Sequence, residues 1–211
     1  MSPKEQIAST VAGLLKPGEI VNLGIGIPTM VINYLVDKDD IFIHSENGIL
    51  GVHSLAKPGE EDIDLVDAGK TSITVRTGAA FFDSSQSFAM IRGGDVDVAV
   101  IGALQVDEAG RMANWSVTGR KVYGVGGAMD LMEGAKKVIV AITHTTRDGS
   151  PKLVKQLQYP RTSFRTVDFI VTELAVFQVK NERIELLHPA PGITVKEIKQ
   201  KTEADFSITG N

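Results

Sequence analysis

Cysteine is absent from the 211 residues. That removes disulfides, thiolate nucleophiles, zinc knuckles and iron–sulfur clusters, and leaves only a site built from histidine and carboxylate formally open to a metal. An excess of positive charge is also missing. Twenty-two basic side chains face 26 acidic ones, for a formal net charge of -4 and an isoelectric point near 5.6, whereas a nucleic-acid binder needs a basic face for phosphate contacts. No apolar run approaches the roughly 18 residues of a membrane span, and Met1-Ser-Pro-Lys-Glu-Gln6 carries no apolar targeting segment. The expectation is a cytoplasmic protein that binds neither membrane nor nucleic acid. The four histidines, His44, His53, His144 and His188, show no H-x-x-H or H-E-x-x-H spacing. Metal binding therefore has no motif behind it.

What is present suits a globular chain: 43% hydrophobic and 23% charged residues, with enough length to bury a core unaided. Glycine stands out at 21 residues, about a tenth of the chain against the usual roughly 7%. Ser2-Pro-Lys-Glu5 reads as a helix start, with a capping serine, a proline in the first turn and a glutamate three residues after the cap. Ile7, Val11, Leu14 and Leu15 follow at helical spacing until Pro17-Gly18. Short strands are expected at 20–23 and 41–43, with a helix over 29–36 between them. Further β-branched runs fall at 72–75, 96–101, 138–142 and 169–171, with weaker helices at 88–91 and 129–133. Hairpin turns are expected at 107–110 and 180–183, and a last amphipathic helix at 194–201. This alternation predicts an α/β fold: one domain with an open, mostly parallel sheet and flanking helices, Rossmann-like in rhythm.

Three glycine loops offer backbone to a ligand. Leu23-Gly24-Ile-Gly26-Ile-Pro28 sits where a dinucleotide fingerprint would, but Thr29 replaces the third glycine; a tight turn at positive φ explains it equally. Gly124-Val-Gly126-Gly127 precedes a helix, a place where exposed N–H groups can hold an oxyanion. Arg92-Gly-Gly94-Asp95 is most simply a turn into a strand. The segment Ile41-Phe-Ile-His-Ser-Glu46-Asn-Gly48 has two readings. Asn47-Gly48 between apolar runs is a strong hairpin signal that would leave Glu46 merely flanking a turn. Alternatively the strand delivers the Glu46 carboxylate to a glycine-walled site as nucleophile or base. Trp115 reads as core or pocket wall, and His144-Thr-Thr-Arg147-Asp148 as a surface loop, since no nucleophile elbow accompanies it.

In order along the chain, Asn22-Leu-Gly-Ile-Gly-Ile-Pro28, Ser45-Glu-Asn-Gly-Ile-Leu-Gly51, Pro58-Gly-Glu-Glu-Asp62, Asp67-Ala-Gly-Lys70, Ala89-Met-Ile-Arg-Gly-Gly94, Ala113-Asn-Trp115 and Gly126-Gly-Ala-Met-Asp-Leu131 resemble the beta subunit of family I CoA-transferases, the succinyl-CoA:3-oxoacid and acetate/acetoacetate group. The likeness runs over almost the whole chain and implies a single beta-subunit domain over 1–211. It implies that Glu46 is the nucleophile, forming an acyl-glutamyl anhydride and then a glutamyl-CoA thioester. It implies that the N–H of Gly127 helps hold the oxyanion, and that Asn22, Gly24, Gly26, Lys70 and Gly126 approach bound CoA. Coenzyme A would be a substrate, short carboxylic acids the acyl groups, and no permanent cofactor is implied. The expected partner is an alpha subunit, in an α2β2 assembly. Two segments depart from the family pattern: His53-Ser54 replaces a glycine and a proline, and Arg161-Thr-Ser-Phe164 replaces Leu-Thr-Gly-Lys. His53 is expected within reach of the acyl pocket, where it would favour an acceptor with an extra polar group. An acyl-CoA hydrolase, or a non-catalytic acyl-CoA or sugar-phosphate binding module, remains the alternative on the same fold.

Overall fold

In the computed structural model, residues 1–36, 40–117, 119, 124 and 126–209 are described. The first helix starts where its capping box predicts. The Ser2 hydroxyl accepts from the Glu5 N–H, the Glu5 carboxylate accepts from the Ser2 N–H, and α1 (Pro3–Ala12) follows. After β1 (Ile20–Leu23), the helix expected over 29–36 begins two residues earlier. It forms one α-turn, α2 (Ile27–Met30), with Pro28 in its first turn, then tightens into a 3-10 turn over Val31–Tyr34. β2 (Phe42–Ser45) and β3 (Ile49–Leu55) form the hairpin announced by Asn47-Gly48, pairing Ser45 with Ile49. β4 (Ile73–Phe81) continues well beyond the four residues expected.

The weak pattern around Phe88–Ile91 belongs to a ten-residue helix, α3 (Ser84–Gly93). Its start is fixed by Asp83, which accepts from the Gln86 N–H, and its end by Gly94 at φ 82. β5 (Val98–Ile101), β6 (Gln105–Asp107), β7 (Met112–Ala113), α4 (Ala128–Gly134), β8 (Lys137–Ala141), β9 (Leu153–Val154) and β10 (Phe169–Val171) come next. The chain closes with β11 (Ala175–Lys180), β12 (Arg183–Pro189), α5 (Val195–Lys201) and β13 (Phe206–Ile208).

Ten of the described strands form one sheet in the order β13-β12-β11-β10-β8-β5-β1-β2-β3-β4. The five at its centre, β10 to β2, are parallel, and antiparallel hairpins extend both flanks. A central parallel strand buries both faces, so its residues feed two cores by turns. In β5, Ala99 and Ile101 pack on the side of α3, α4 and α5, while Val98 and Val100 pack on the side of α1 and α2. β8 repeats this, with Val138 and Val140 on one side and Ile139 and Ala141 on the other. The short strands β7, β6 and β9 make a second, three-stranded sheet that the periodicity does not reveal. The order of the central strands reverses at β1, which has β5 on one side and β2 on the other. Such a reversal opens a crevice at the carboxyl ends of the strands.

Two histidines are buried in this frame, His44 and His144. The ring of His144 lies between the hydroxyls of Thr172 (Nδ1, 3.0 Å) and Thr202 (Nε2, 2.8 Å), a buried network rather than the surface loop expected from sequence. Burial pulls both imidazoles down to a pKa of about 4. An unfolded histidine titrates near 6.5, so between about pH 6.5 and 4 the unfolded chain binds more protons than the folded one. Stability is therefore full above that range and falls as pH drops through it, by up to about 1.4 kcal/mol per pH unit for each group. Urea unfolding between pH 7.5 and 5 is expected to show this slope, and His144→Asn to flatten it. An unchanged slope in the variant would remove His144 as a source.

Candidate active site

Four parallel strands deliver their carboxyl ends to one place. The cavity there has a volume of about 540 Å³ and is walled by Gly24, Ile25 and Ile27 after β1, Glu46 after β2, Ile101 to Leu104 at the end of β5, and Ala141 to Thr143 at the end of β8. Gly124, Gly126, Gly127, Ala128 and Leu131 close another side from the entry to α4, and Asn114 and Lys152 complete the lining. Val125, within that glycine loop, lies outside the described residues.

Glu46 enters this cavity because of the hairpin, so the two readings of its sequence hold together. Gly48 sits at φ 121, and a Cβ there would lie 2.0 Å from the carbonyl oxygen of Phe82. Only glycine lets the turn lie this close to the start of α3. The turn is fastened on its other side too: the Ser45 hydroxyl accepts from the Ala68 N–H at 2.9 Å, and the Asn47 amide donates to the Val66 carbonyl at 2.8 Å. Glu46 is half-buried. A Cβ on Gly127 would stand 3.7 Å from its Cγ, which puts the two residues expected to do the chemistry side by side.

The other expected residues separate. Gly24 lines the cavity and hugs β5, its N–H donating to the Val100 carbonyl at 2.9 Å. Gly26, at φ 99, makes the bend between the lining residues Ile25 and Ile27. Asn22, expected to face CoA, is fully buried. Its amide lies beneath Glu46 and donates to Oε2 at 3.2 Å, so the side chain reaches the carboxylate rather than the cavity space. Lys70 stands outside the lining, exposed on a turn at φ 63. The neighbouring Gly69 approaches Ile25, so this turn borders the cavity from outside.

The two departures from the family pattern also part company. His53 lines a different depression, with Val75, Arg76 and Thr77 of β4, because β3 carries it away from the turn that bears Glu46. The expectation that it reaches the pocket of Glu46 does not match that placement. Thr162 stands one residue behind the wall, its hydroxyl donating to Asn114 Oδ1 at 2.8 Å. Arg161 stacks over Phe164, which is 80% exposed.

Three residues around Glu46 escape sequence reasoning. Lys152 is half-buried in the wall with its ammonium donating to Thr143 Oγ1 at 2.8 Å, and burial lowers its pKa. Asn114 also lines the wall. His44 lies under Asn22, its Nδ1 3.1 Å from the Asn22 amide nitrogen. No spacing rule links these positions; Ala113-Asn-Trp115 is the one signal the sequence offers, and it points to Trp115 first.

Comparison with known proteins finds relatives over almost the whole chain. The profile of the family described as coenzyme A transferase matches residues 4–201. The chain is 46% identical over 195 residues to one subunit of a probable succinyl-CoA:3-ketoacid coenzyme A transferase of Bacillus subtilis, covering 92% of this chain and 90% of that protein. It is 46% identical over 211 residues to the beta subunit of the acetate CoA-transferase of Escherichia coli K12, covering 100% of this chain and 96% of that protein. Among solved structures, an acyl-CoA transferase of Escherichia coli O157:H7 superposes with a TM-score of 0.79 at 22% identity. The match covers 99% of this chain and 42% of that longer one, and it shows the shared fold.

The hairpin geometry generates a test. Gly48→Ala adds both a disfavoured φ and a backbone collision, and is expected to destabilise the chain by about 2–4 kcal/mol. Gly59→Ala is the control: its φ of 88 is also positive, but nothing lies within 4 Å of an added Cβ. It is expected to cost about 1 kcal/mol. Urea denaturation of both variants checks the difference; equal losses would mean that the approach to Phe82 does not hold the turn.

Proposed function

The chain belongs to the coenzyme A transferase family, and from that premise we propose that it is the beta subunit of a transferase that moves CoA between short carboxylic acids. The observation that carries this reading is the placement of Glu46. Its carboxylate projects into a cavity at the carboxyl ends of parallel strands, against a glycine-lined wall, with an amide donor on one oxygen.

The chemistry follows from that placement. One carboxylate oxygen of Glu46 attacks the thioester carbonyl, and the tetrahedral intermediate expels CoA thiolate to leave an acyl-glutamyl anhydride. The thiolate then attacks the glutamyl carbonyl, releasing the first acid and leaving a glutamyl-CoA thioester. A second acid reverses these steps and departs as the new acyl-CoA. Each cycle exchanges one thioester for another, so the covalent route replaces a direct encounter of two anions with separate attacks on activated carbonyls. Negative charge develops on a carbonyl oxygen at every attack. The Gly127 N–H is assigned to that oxygen, and a single donor of this kind typically contributes about 2.7–4 kcal/mol. Asn22 serves the carboxylate itself: a hydrogen bond to Oε2 leaves Oε1 as the attacking atom. Lys70, on its exposed turn bordering the cavity, is assigned to the polyanionic part of CoA.

The partner is an alpha subunit, in an α2β2 assembly. Relatives covered almost end to end are named as single subunits of their enzymes, the acetate CoA-transferase one as the beta subunit, and Gly127 alone supplies fewer oxyanion donors than the family's chemistry uses. Those names include succinyl-CoA:3-ketoacid and acetate transferases, which makes succinate, acetate and 3-oxo acids the first acyl groups to assay.

Two outcomes are expected. Intact-mass analysis of the two-subunit enzyme with acyl-CoA gives a CoA-sized adduct that maps to Glu46, and Glu46→Gln lowers turnover by about three orders of magnitude or more. Normal turnover in Glu46→Gln, or release of free CoA with no acceptor acid present, would overturn the transferase mechanism. The isolated chain is expected to be nearly inactive until mixed with its alpha subunit; full activity from the chain alone would overturn the assignment of the partner.

A further inference from the structure

Beneath the Glu46 carboxylate lies a row of buried polar groups that the chemistry above does not use. His44 belongs to β2 and faces Asn22 of β1 in the parallel register. The ring is 1% exposed and stacks on Phe82, with centroids 6.0 Å apart and planes 14° from parallel. Its Nε2 lies 3.0 Å from Ser87 Oγ in α3, and its Nδ1 3.1 Å from Asn22 Nδ2. The same amide nitrogen lies 3.3 Å from the His44 carbonyl and 3.2 Å from Glu46 Oε2. Asn22 Oδ1 is buried and has no partner.

We infer that His44, backed by Ser87, is a positioning residue that sets which end of the Asn22 amide meets Glu46, and the inference rests on Glu46 being the nucleophile. An amide NH2 carries two hydrogens and no lone pair to offer, so it faces Nδ1 only where Nδ1 is an acceptor. The ring proton is then on Nε2, where Ser87 Oγ receives it. Every donor in the row points the same way: Nε2–H to Ser87, and the two Asn22 amide hydrogens shared among Nδ1, the His44 carbonyl and Glu46. Burial keeps the ring neutral, as this arrangement requires. With a hydrogen on Nδ1, the better partner would be Asn22 Oδ1. The amide would then turn over and set a carbonyl oxygen against the carboxylate. The orphaned Oδ1 is a cost that a freely turning amide would avoid; three acceptors on the opposite side offset it.

His144 shows what this arrangement adds. It is equally buried, but its tautomer is set by hydroxyls bound elsewhere: Thr202 Oγ1 donates to the Ile198 carbonyl at 2.7 Å and so accepts from Nε2–H, while Thr172 Oγ1, which already accepts from the Leu174 and Ala175 N–H groups, faces Nδ1. At His44 the group that dictates where the proton sits is an amide donor that also reaches the Glu46 carboxylate.

The test is a double-mutant cycle in the two-subunit enzyme, reading the rate of CoA-adduct formation on Glu46 and the KM for acyl-CoA. His44→Leu is expected to slow adduct formation about 10- to 100-fold, with KM changed less than about twofold. On an Asn22→Ala background the same substitution is expected to cost less than about twofold, because its effect passes through Asn22. His44→Asn, which keeps an acceptor near the place of Nδ1, is expected to recover the rate to within about threefold of wild type. Ser87→Ala removes only the far end of the row and is the variant to use if His44→Leu does not fold. It is expected to lose about three- to tenfold alone and nothing further on Asn22→Ala. Additive losses in either cycle, or no recovery with His44→Asn, would show that His44 acts as packing and overturn the inference. A wild-type enzyme that forms no adduct on Glu46 would overturn the function reading instead, and this inference with it.

Discussion

The parallel pairing of β1 with β2 is the constraint on which the site depends. It sets Asn22 opposite His44, two residues before Glu46, and so fixes a buried amide under a carboxylate that would otherwise swing on the end of a strand. Parallel strands hydrogen-bonded on both edges have little freedom to slip, because a one-residue shift would exchange the two cores. Val21 and Ile43, fully or almost fully buried, hold the register from the α1 side. Geometry at the cavity is thus inherited from the packing of residues that never touch it.

Close backbone approach is the second device. Glycine is needed where the β2–β3 turn meets Phe82, and again at Gly134, where an added Cβ would stand 2.0 Å from the Ile91 carbonyl. The first contact holds the turn that carries Glu46. The second lets α4 press against α3, which in turn brings Gly127 to the Glu46 side chain. The excess of glycine seen in the composition therefore has particular places to go. At other positive-φ glycines, such as Gly59 and Gly149, the chain merely turns in open space.

Much of the fold is legible in the sequence. The central strands β5, β8 and β10 are short and apolar on both sides, and the first helix carries a capping box, so local chemistry and tertiary role agree. The Asn47-Gly48 turn is readable for the same reason. Where local and tertiary demands diverge, the pattern misleads. The helix expected over 29–36 tightens into a 3-10 turn under Pro28. The pairs β6–β7 and β6–β9 involve two- and three-residue strands too short to show a period. His144 reads as a loop residue because its threonine partners are 28 and 58 positions away.

By itself the sequence determined the α/β class, the hairpin that bears Glu46 and, through an ordered set of motifs, the family. These depend on residues near one another in the chain, where spacing and turn chemistry suffice. Tertiary structure alone decided the company Glu46 keeps. It turned Asn22 from an expected ligand contact into a buried donor beneath the carboxylate. It carried His53 along β3 to a separate depression beside β4 and brought Lys152 into the wall. Those placements follow from strand order, since the crevice draws on β1, β2, β5 and β8 at once. No local pattern encodes which strands will be neighbours, because that is settled by how the two cores close around the sheet.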